Sequence, residues 1–239
     1  MRKKVLGYFS KFEIGLWLSS VVVIILSYSL SGNDQWMYML TSLIGVTSLI
    51  FIAKGNVVGQ VLMVIFCLLY GVISYSYRYY GEMITYLGMS MPISIASVVT
   101  WVRHPFEGRK SEVKVSSLRS KDYVIIGIVG VIVTAFFGWL LMLLKTAHLL
   151  FSTLSIFTSV VAVLLSMRRS PVYALGYALN DVVLIVLWLM ASAENSDYLG
   201  MVFCFLAFLA NDLYGFVSWR RMERRQKSSI GASEMRADV

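Results

Sequence analysis

Apolar residues fall into eight long runs, each separated from the next by a short polar or charged segment. Each run is close to the ~20 residues that a helix needs to cross the hydrocarbon core of a membrane. The first run is longer than the apolar part of a typical signal peptide, and no small-residue cleavage motif follows it, so we expect a retained helix. The eight predicted spans are residues 14–30, 36–53, 57–77, 83–101, 123–144, 149–167, 172–191 and 198–219.

The composition supports a protein that lies almost wholly in the membrane. Hydrophobic residues make up 58% of the 239 positions and charged residues 14%, with a mean hydropathy of +0.74. Soluble domains carry about 25% charged residues, so they are excluded. Cys67 and Cys204 both lie inside apolar runs, which favours small core residues over a disulfide framework.

The basic residues predict the orientation of the spans. Of the 21 Lys and Arg residues, 19 fall on the side that holds both termini, and 2, Arg78 and Lys145, fall on the other. Under the positive-inside rule, both termini are cytoplasmic. The net charge of +8 then anchors the topology and implies no nucleic-acid partner.

Two stretches of the chain resemble each other. Residues 57–101 begin with Gly59-Gln60 and residues 172–219 include Gly176-Tyr177, and each stretch ends at a Trp followed by basic residues. This similarity predicts a three-helix unit used twice in the same orientation, with one linker span between the copies. The predicted divisions are 1–30 for an amphipathic start and extra helix, 31–101 for the first unit, 102–145 for a cytoplasmic loop and linker helix, 146–221 for the second unit and 222–239 for the tail.

Two Asn-Asp pairs stand in the middle of apolar runs, Asn180-Asp181 in the seventh span and Asn211-Asp212 in the eighth. Lipid cannot solvate a carboxylate, so an acid at this depth must face protein, water or a ligand. No Lys or Arg faces the two acids, so either they are protonated, or they bind a substrate, or a cation comes and goes. The asparagines have an alternative interpretation as interhelical hydrogen bonds.

Helical spacing places further aromatic and hydrogen-bonding residues on the same faces as these pairs. Such faces can stack a flat ring and bind hydroxyl groups, which suits a nucleoside-like molecule. Pro92 predicts a kink in the fourth span, and Trp101 and Trp219, beside basic runs, are expected in the cytoplasmic interfacial belt. The candidate substrate-binding residues are Gln60, Tyr173, Tyr177, Asn180, Asp181, Trp188, Asn211 and Tyr214, and the candidate gating residues are Tyr70 and Tyr86, with Tyr214 also considered as a gate.

No enzymatic motif is visible in the sequence. His104 and His148 stand apart, no His or Glu spacing matches a metal site, and no nucleophile elbow or phosphate-binding loop is present. We therefore expect a membrane protein that is not an enzyme and uses no cofactor or metal.

Three short motifs resemble the PnuC family of bacterial vitamin transporters. Asn211-x-x-Tyr214-Gly215 precedes Trp219 and an Arg pair, Arg168-Arg169 follows an apolar helix, and Lys54-Gly-Asn forms the equivalent turn in the first half. The resemblance covers about residues 36–221. The sequence departs from the family at one motif. Where the family's riboside carriers have Trp-x-x-Trp, this chain has Tyr173-Ala-Leu-Gly176.

The resemblance implies an all-α integral membrane fold with two three-helix bundles around a linker helix (3+1+3), similar to SWEET transporters but inverted, plus an extra N-terminal helix. It also implies a homotrimer in the bacterial inner membrane. The implied activity is facilitated diffusion of nicotinamide riboside or a related (deoxy)nucleoside, trapped by a cytoplasmic kinase. The alternatives are a proton-coupled transporter of a thiamine-like vitamin and a non-transporting membrane receptor or scaffold.

Overall fold

A computed structural model describes residues 8–30, 36–76, 83–146, 148–194 and 198–237. The predicted non-cytoplasmic loops around 31–35, 77–82 and 195–197, with Arg78, lie outside the described residues. The helices are α1 (Lys11–Leu30), α2 (Trp36–Ala53), α3 (Val57–Ser76), α4 (Met91–Arg103), α5 (Ser120–Leu143), α6 (Leu149–Met167), α7 (Tyr173–Glu194) and α8 (Leu199–Ala237), with a π-helical segment, Ile84–Ser90, that leads into α4. Two short strands, β1 (Pro105–Phe106) and β2 (Arg109–Val113), form an antiparallel hairpin.

Eight helical segments in the described ranges are long and apolar enough to span a membrane, which confirms the predicted spans. Two details differ from the prediction. Helix α8 continues to Ala237, because the residues after Trp219 include no Gly or Pro before Gly231 and Glu223 forms ion pairs with Arg220 and Lys227. The predicted cytoplasmic loop contains the β-hairpin, where an all-α chain was expected.

Six of the helices close into a ring. Along this ring α2 contacts α3, α3 contacts α4, α4 contacts α6, α6 contacts α7, α7 contacts α8, and α8 returns to α2. Helix α1 lies outside the ring against α2 and α8, and α5 lies outside it against α6. The interior of the ring is therefore the place where side chains of both sequence halves meet.

The irregularity predicted at Pro92 takes the form of the π-helical segment. Pro92 stands at the start of α4, and the N–H of Met91 donates to the carbonyl of Tyr86, five residues back. Proline has no N–H and its ring crowds the carbonyl four residues before it, so the α-helical bond at this position is lost. The wider turn places Tyr86 inside the ring.

The turns after α2 and α6 have the same backbone structure. Their central residues, Gly55 and Arg169, both have left-handed backbones, with φ of 67° and 58°. In each turn the N–H of the next residue reaches back to a carbonyl five residues earlier, at 3.0 Å. This is the Schellman arrangement, which satisfies carbonyls that a helix end leaves free.

The last residue of β2 and the segment that follows it connect the two turns. The N–H of Val113 donates to the Gly55 carbonyl at 2.9 Å, and the N–H of Ser116 donates to the Arg169 carbonyl at 3.0 Å. Gln226 of α8 holds the same segment, donating to the Val113 carbonyl at 3.0 Å and accepting from the Val115 N–H at 2.8 Å. Both turns and the hairpin thus lie at one end of the ring, called here the basic end.

Close packing of α2 on α3 depends on Gly59. A Cβ at this position would lie 2.6 Å from the backbone nitrogen of Ile52 and 2.8 Å from the Ser48 carbonyl oxygen. Backbone atoms cannot move aside without separating the two helices. We therefore expect Gly59→Ala to lower the free energy of unfolding in detergent by about 1–3 kcal/mol, the usual cost of overpacking.

The matched control is Gly127→Ala on α5, where a Cβ would meet nothing within 4 Å. This variant is expected to be neutral or slightly stabilising, because alanine favours a helix more than glycine does. Equal melting temperatures for the two variants would contradict the packing argument.

Candidate functional site

Two buried acids lie in the middle of the ring. Asp181 of α7 and Asp212 of α8 are 3% and 4% exposed, and their carboxyl groups are close enough to act directly on each other. One oxygen of Asp181, Oδ2, is buried without a hydrogen-bond partner. No ion pair to either acid is found within the described ranges. A buried carboxylate without a cation is costly, so such an acid either holds a proton or meets a ligand that supplies positive charge.

Aromatic rings close the interior between this acid pair and the basic end. The ring centroids of Tyr173 and Tyr177 are 6.1 Å apart, and Tyr177 lies close enough to both acids to interact with them electrostatically. Tyr173 also meets Trp219 at 4.9 Å, and Trp219 meets Trp101 at 5.3 Å. We call Trp101, Tyr173 and Trp219 the inner closure.

The expectation that Trp101 and Trp219 lie in an interfacial belt is wrong. They are 1% and 0% exposed, and their indole N–H groups donate to the carbonyls of Ser166 at 2.9 Å and Ile52 at 2.8 Å. The indoles turn inward and add a second donor to carbonyls that already accept from the Gly55 and Arg169 N–H groups, at 2.8 and 2.9 Å.

A second aromatic group closes the interior toward the other end of the ring. Tyr70 and Tyr86 have ring centroids 4.4 Å apart, and Phe66 stacks on Tyr70 at 5.6 Å. Phe66 reaches Phe208 of α8 at 5.9 Å, and Tyr38 of α2 meets Tyr70 at 6.4 Å. This outer closure brings together the two predicted gating residues, and Phe66 and Phe208 are members that were missed because Phe is so common in membrane spans.

Two predicted site residues hold helices to each other. The Gln60 amide of α3 donates to the Ser166 hydroxyl of α6 at 2.9 Å. The Thr158 hydroxyl of α6 donates to the Asn180 carbonyl oxygen at 2.8 Å. Their side chains thus serve the interhelical bonds that were the alternative interpretation for asparagine in the sequence.

Trp188 lies farther along α7, about 11 Å from Asp181 at 1.5 Å of rise per residue. Its ring meets Tyr198 at 5.6 Å, and its buried indole N–H has no partner among the residues that the structure describes. Trp188 is therefore placed with the end of the ring opposite the basic end, and it retains a free donor.

Asn211 and Tyr214 turn toward the extra helix α1. The Asn211 amide donates to the Ser20 hydroxyl at 2.9 Å and to the Ala207 carbonyl at 2.8 Å, while its own carbonyl oxygen is buried without a partner. The Tyr214 hydroxyl donates to Glu13 at 2.7 Å. Glu13 is a functional residue that the sequence analysis missed. Its position as an acid at the start of an apolar run was the signal that could have identified it.

The structure therefore gathers Tyr173, Tyr177 and Asp181 with Asp212, and gathers Tyr70 with Tyr86, while Gln60, Asn180, Trp188, Asn211 and Tyr214 lie around them. Within the described ranges no three His, Cys, Asp or Glu side chains come together as metal ligands would. The chemistry available is aromatic contact, hydrogen bonding and one uncompensated acidic centre.

Comparison with known proteins places this arrangement in a family. The sequence profile of a family described as "Nicotinamide mononucleotide transporter" matches residues 35–221, which is most of the chain. The chain belongs to this family.

Relatives in the family are similar along nearly the whole chain. The nicotinamide riboside transporter PnuC of Neisseria mucosa is 24% identical, with 94% of this chain and 86% of the relative covered. The protein of the same name from Haemophilus influenzae is 22% identical, with 94% and 96% covered. A crystal structure of the vitamin B3 transporter PnuC superposes with a TM-score of 0.80 at 22% identity, covering 94% of this chain and 97% of that one. That structural likeness shows that the fold is shared.

Helix α1 precedes the residues that the family profile matches, yet it is bonded to the site. Glu13, 2% exposed, forms an ion pair with Lys54 at 3.2 Å besides its bond from Tyr214. We expect Glu13→Gln to lower the free energy of unfolding by about 1–3 kcal/mol, because hydrogen bonds to a buried charge are among the stronger ones. Denaturation in detergent measures this change.

The control is Glu107→Gln, since Glu107 pairs with Arg109 at the exposed surface of the hairpin. Exposed ion pairs contribute little to stability, so we expect little change. If Glu13→Gln were as mild as the control, α1 would be a helix that merely lies against the ring.

Proposed function

We propose that the chain carries nicotinamide riboside or a related (deoxy)nucleoside across the bacterial inner membrane by facilitated diffusion. The observation that carries this proposal is the buried pair of Asp181 and Asp212, which lacks a cation among the described residues and lies between two aromatic closures. The names of the relatives, nicotinamide riboside transporters, support the same substrate class.

The charge of the substrate determines how well it suits the acid pair. The pyridinium ring of nicotinamide riboside carries a fixed positive charge, whereas thymidine and deoxyadenosine are neutral. A bare carboxylate is disfavoured in an empty buried site, where it takes up a proton instead, and it is favoured when an occupant brings positive charge. Tyr173 and Tyr177, beside the acids, offer ring surfaces to a flat cation. Nicotinamide riboside is thus favoured over neutral nucleosides, although the family's Trp-x-x-Trp motif is absent here.

Thiamine is the second candidate, because its thiazolium ring is also a fixed cation. The acid pair that would bind it could also exchange a proton, which is the basis for proton-coupled vitamin transport. Sensitivity of uptake to a protonophore distinguishes this mechanism from facilitated diffusion.

The roles of the site residues follow from their surroundings. Asp181 would face the positive ring, with Tyr173 and Tyr177 as its walls, and Tyr70 with Tyr86 would gate the outer side. Gln60 and Asn180, already bonded between helices, would position α3 and α7 and offer their remaining polar atoms to sugar hydroxyls. Trp188 and Asn211 would complete the site with the buried polar atom that each keeps without a partner among the described residues. Tyr214, whose hydroxyl donates to Glu13 of α1, would contribute by holding α8 to α1.

The larger arrangement is also a proposal. Two SWEET-like three-helix bundles, α2–α4 and α6–α8, would be joined by α5, and the matching turns at Gly55 and Arg169 support this duplication. The basic end would face the cytoplasm, with both termini on that side. The family resemblance further suggests a homotrimer and a cytoplasmic kinase that traps the substrate.

The first test is uptake into proteoliposomes of labelled nicotinamide riboside, thymidine, deoxyadenosine and thiamine in turn. We expect uptake of nicotinamide riboside that a protonophore does not change. Asp181→Asn removes the charge and keeps the size, so it should lower this uptake at least tenfold, equivalent to about 1.4 kcal/mol of lost binding.

The matched control is Asp122→Asn, which removes an acid paired with Arg168 at the basic end and should leave uptake unchanged. Preference for a neutral nucleoside would overturn the charge argument, and sensitivity to the protonophore would favour proton coupling. No flux of any of the four compounds would favour a receptor or scaffold.

The native Cys67 can report on the outer closure. It is 2% exposed, one helical turn from Tyr70, and close to Tyr177. In a Cys204→Ser background, where Cys67 is the remaining cysteine of the sequence, we expect slow labelling by a membrane-impermeant methanethiosulfonate added on the non-cytoplasmic side. Tyr70→Ala should speed this labelling at least tenfold by opening the closure.

Tyr75→Ala is the control for this labelling, because Tyr75 lies on the same helix near the same end and is 62% exposed. Equal labelling rates in the two variants would argue against a gate at Tyr70. Protection of Cys67 by a transported substrate would place the substrate between the closures.

A further inference from the structure

A pocket of about 500 Å³ lies at the basic end, outside the helical ring. Its walls come from the start of α1, the turn after α2, strand β2 and the part of α8 near and beyond Trp219. Its volume falls within the range of small-ligand sites, about 300–1,000 Å³. The pocket is lined by Tyr8, Ser10, Glu13, Lys54, Arg109, Ser111, Glu112, Tyr214, Ser218, Arg221, Met222 and Arg225.

The two acids in this lining are already used within the protein. Glu13 accepts from Tyr214 and Ser10 and pairs with Lys54. Glu112 accepts from Arg225 at 2.5 Å and from Gln226 at 2.7 Å. The acids therefore fix the walls of the pocket to one another and neutralise Lys54 and Arg225.

Two arginines in the lining remain available. Arg221 is exposed and makes no hydrogen bond or ion pair with any residue that the structure describes. Arg109 pairs at 2.6 Å with Glu107, which is itself half exposed, and this surface contact competes weakly with a stronger anion. Four cations against two acids leave the lining with an excess of two positive charges.

Two tyrosines add apolar surface beside these charges. Tyr8 accepts a hydrogen bond from Asn56 at 3.0 Å, and Tyr214 is held by Glu13, so both rings are fixed in place. Partial burial raises the pKa of Tyr8, so its hydroxyl stays neutral beside the arginines. A fixed ring beside arginines suits a ligand with a flat group and an anionic group.

We propose that this pocket binds a phosphate monoester or diester with Arg221 and Arg109, in a ligand the size of a mononucleotide. The phosphate has two possible sources, a soluble mononucleotide or the headgroup of an anionic lipid, because the pocket lies where α1, α2 and α8 emerge from the membrane. A phosphate held here ties α8 to the hairpin. The site is separate from the interior of the ring, and the inference does not depend on which molecule is transported.

The test compares Arg221→Gln with Arg224→Gln in the full-length protein. Both variants remove one exposed charge from the same part of α8, but Arg224 is not part of the pocket lining. Calorimetry in nanodiscs of phosphatidylcholine would titrate nicotinamide mononucleotide, adenosine monophosphate and inorganic phosphate. Melting temperatures would be compared between phosphatidylcholine discs and discs that contain phosphatidylglycerol.

A soluble source predicts mononucleotide binding that Arg221→Gln weakens about tenfold, the effect of one charged hydrogen bond, and that Arg224→Gln leaves unchanged. A lipid source predicts no mononucleotide binding, with a phosphatidylglycerol-dependent rise in melting temperature that is lost in Arg221→Gln alone. The proposal is overturned if neither effect occurs or if both variants behave alike. Riboside uptake, measured in parallel, should be equal in the two variants, so failure of the transport proposal would be seen separately.

Discussion

Two indole N–H groups hold the halves of the ring together at its basic end. Trp101 of α4 donates to a carbonyl at the end of α6, and Trp219 of α8 donates to a carbonyl at the end of α2. Each bond joins the last helix of one half to the first helix of the other. A net contribution of about 1 kcal/mol per bond is modest, but a buried indole N–H left unpaired would cost as much or more. The contact between the two rings and the position of Tyr173 both follow from these bonds.

The segment 113–116 adds a second connection between the halves, at the equivalent turns of Gly55 and Arg169. Glycine accepts the left-handed backbone without strain, whereas arginine pays roughly 1–2 kcal/mol for it. Arg169 offsets part of this cost, because its guanidinium donates to the Lys114 carbonyl at 3.3 Å. Partial burial lowers the pKa of Arg169, in keeping with a side chain that lies over this segment and away from bulk water.

The spans, the clustering of basic residues and the two intramembrane acids could be predicted from the sequence, because each depends on local hydrophobicity or on the cost of burying charge. The direction of individual side chains could not. Asn211 bonds to Ser20, 191 residues away, and no local pattern shows which face of α8 meets α1. Trp101 and Trp219 illustrate the same limit, since a belt residue and a buried donor have the same neighbours in sequence.

The internal repeat stays a prediction, and the matching turns at Gly55 and Arg169 give it a different register from the one predicted. The matching turns pair Asn56 with Ser170, which places Gly59 opposite Tyr173 and three residues away from the predicted partner, Gly176. Both glycines permit close helix contacts, Gly59 against Ile52 and Gly176 against Ala162. Similar packing demands thus produced similar residues at positions that are not equivalent in the two halves.

The π-helical segment before Pro92 has a consequence for how the interior could open. A π-helical turn accommodates one more residue than an α-helical turn, and each residue of an α-helix turns the chain by about 100°. Local rewinding of Ile84–Ser90 to α-helical bonds would therefore swivel Tyr86 away from Tyr70, whose ring it now meets at 4.4 Å. This rotation requires only that a few backbone hydrogen bonds change partners, so the outer closure could open while the six helices of the ring keep their places.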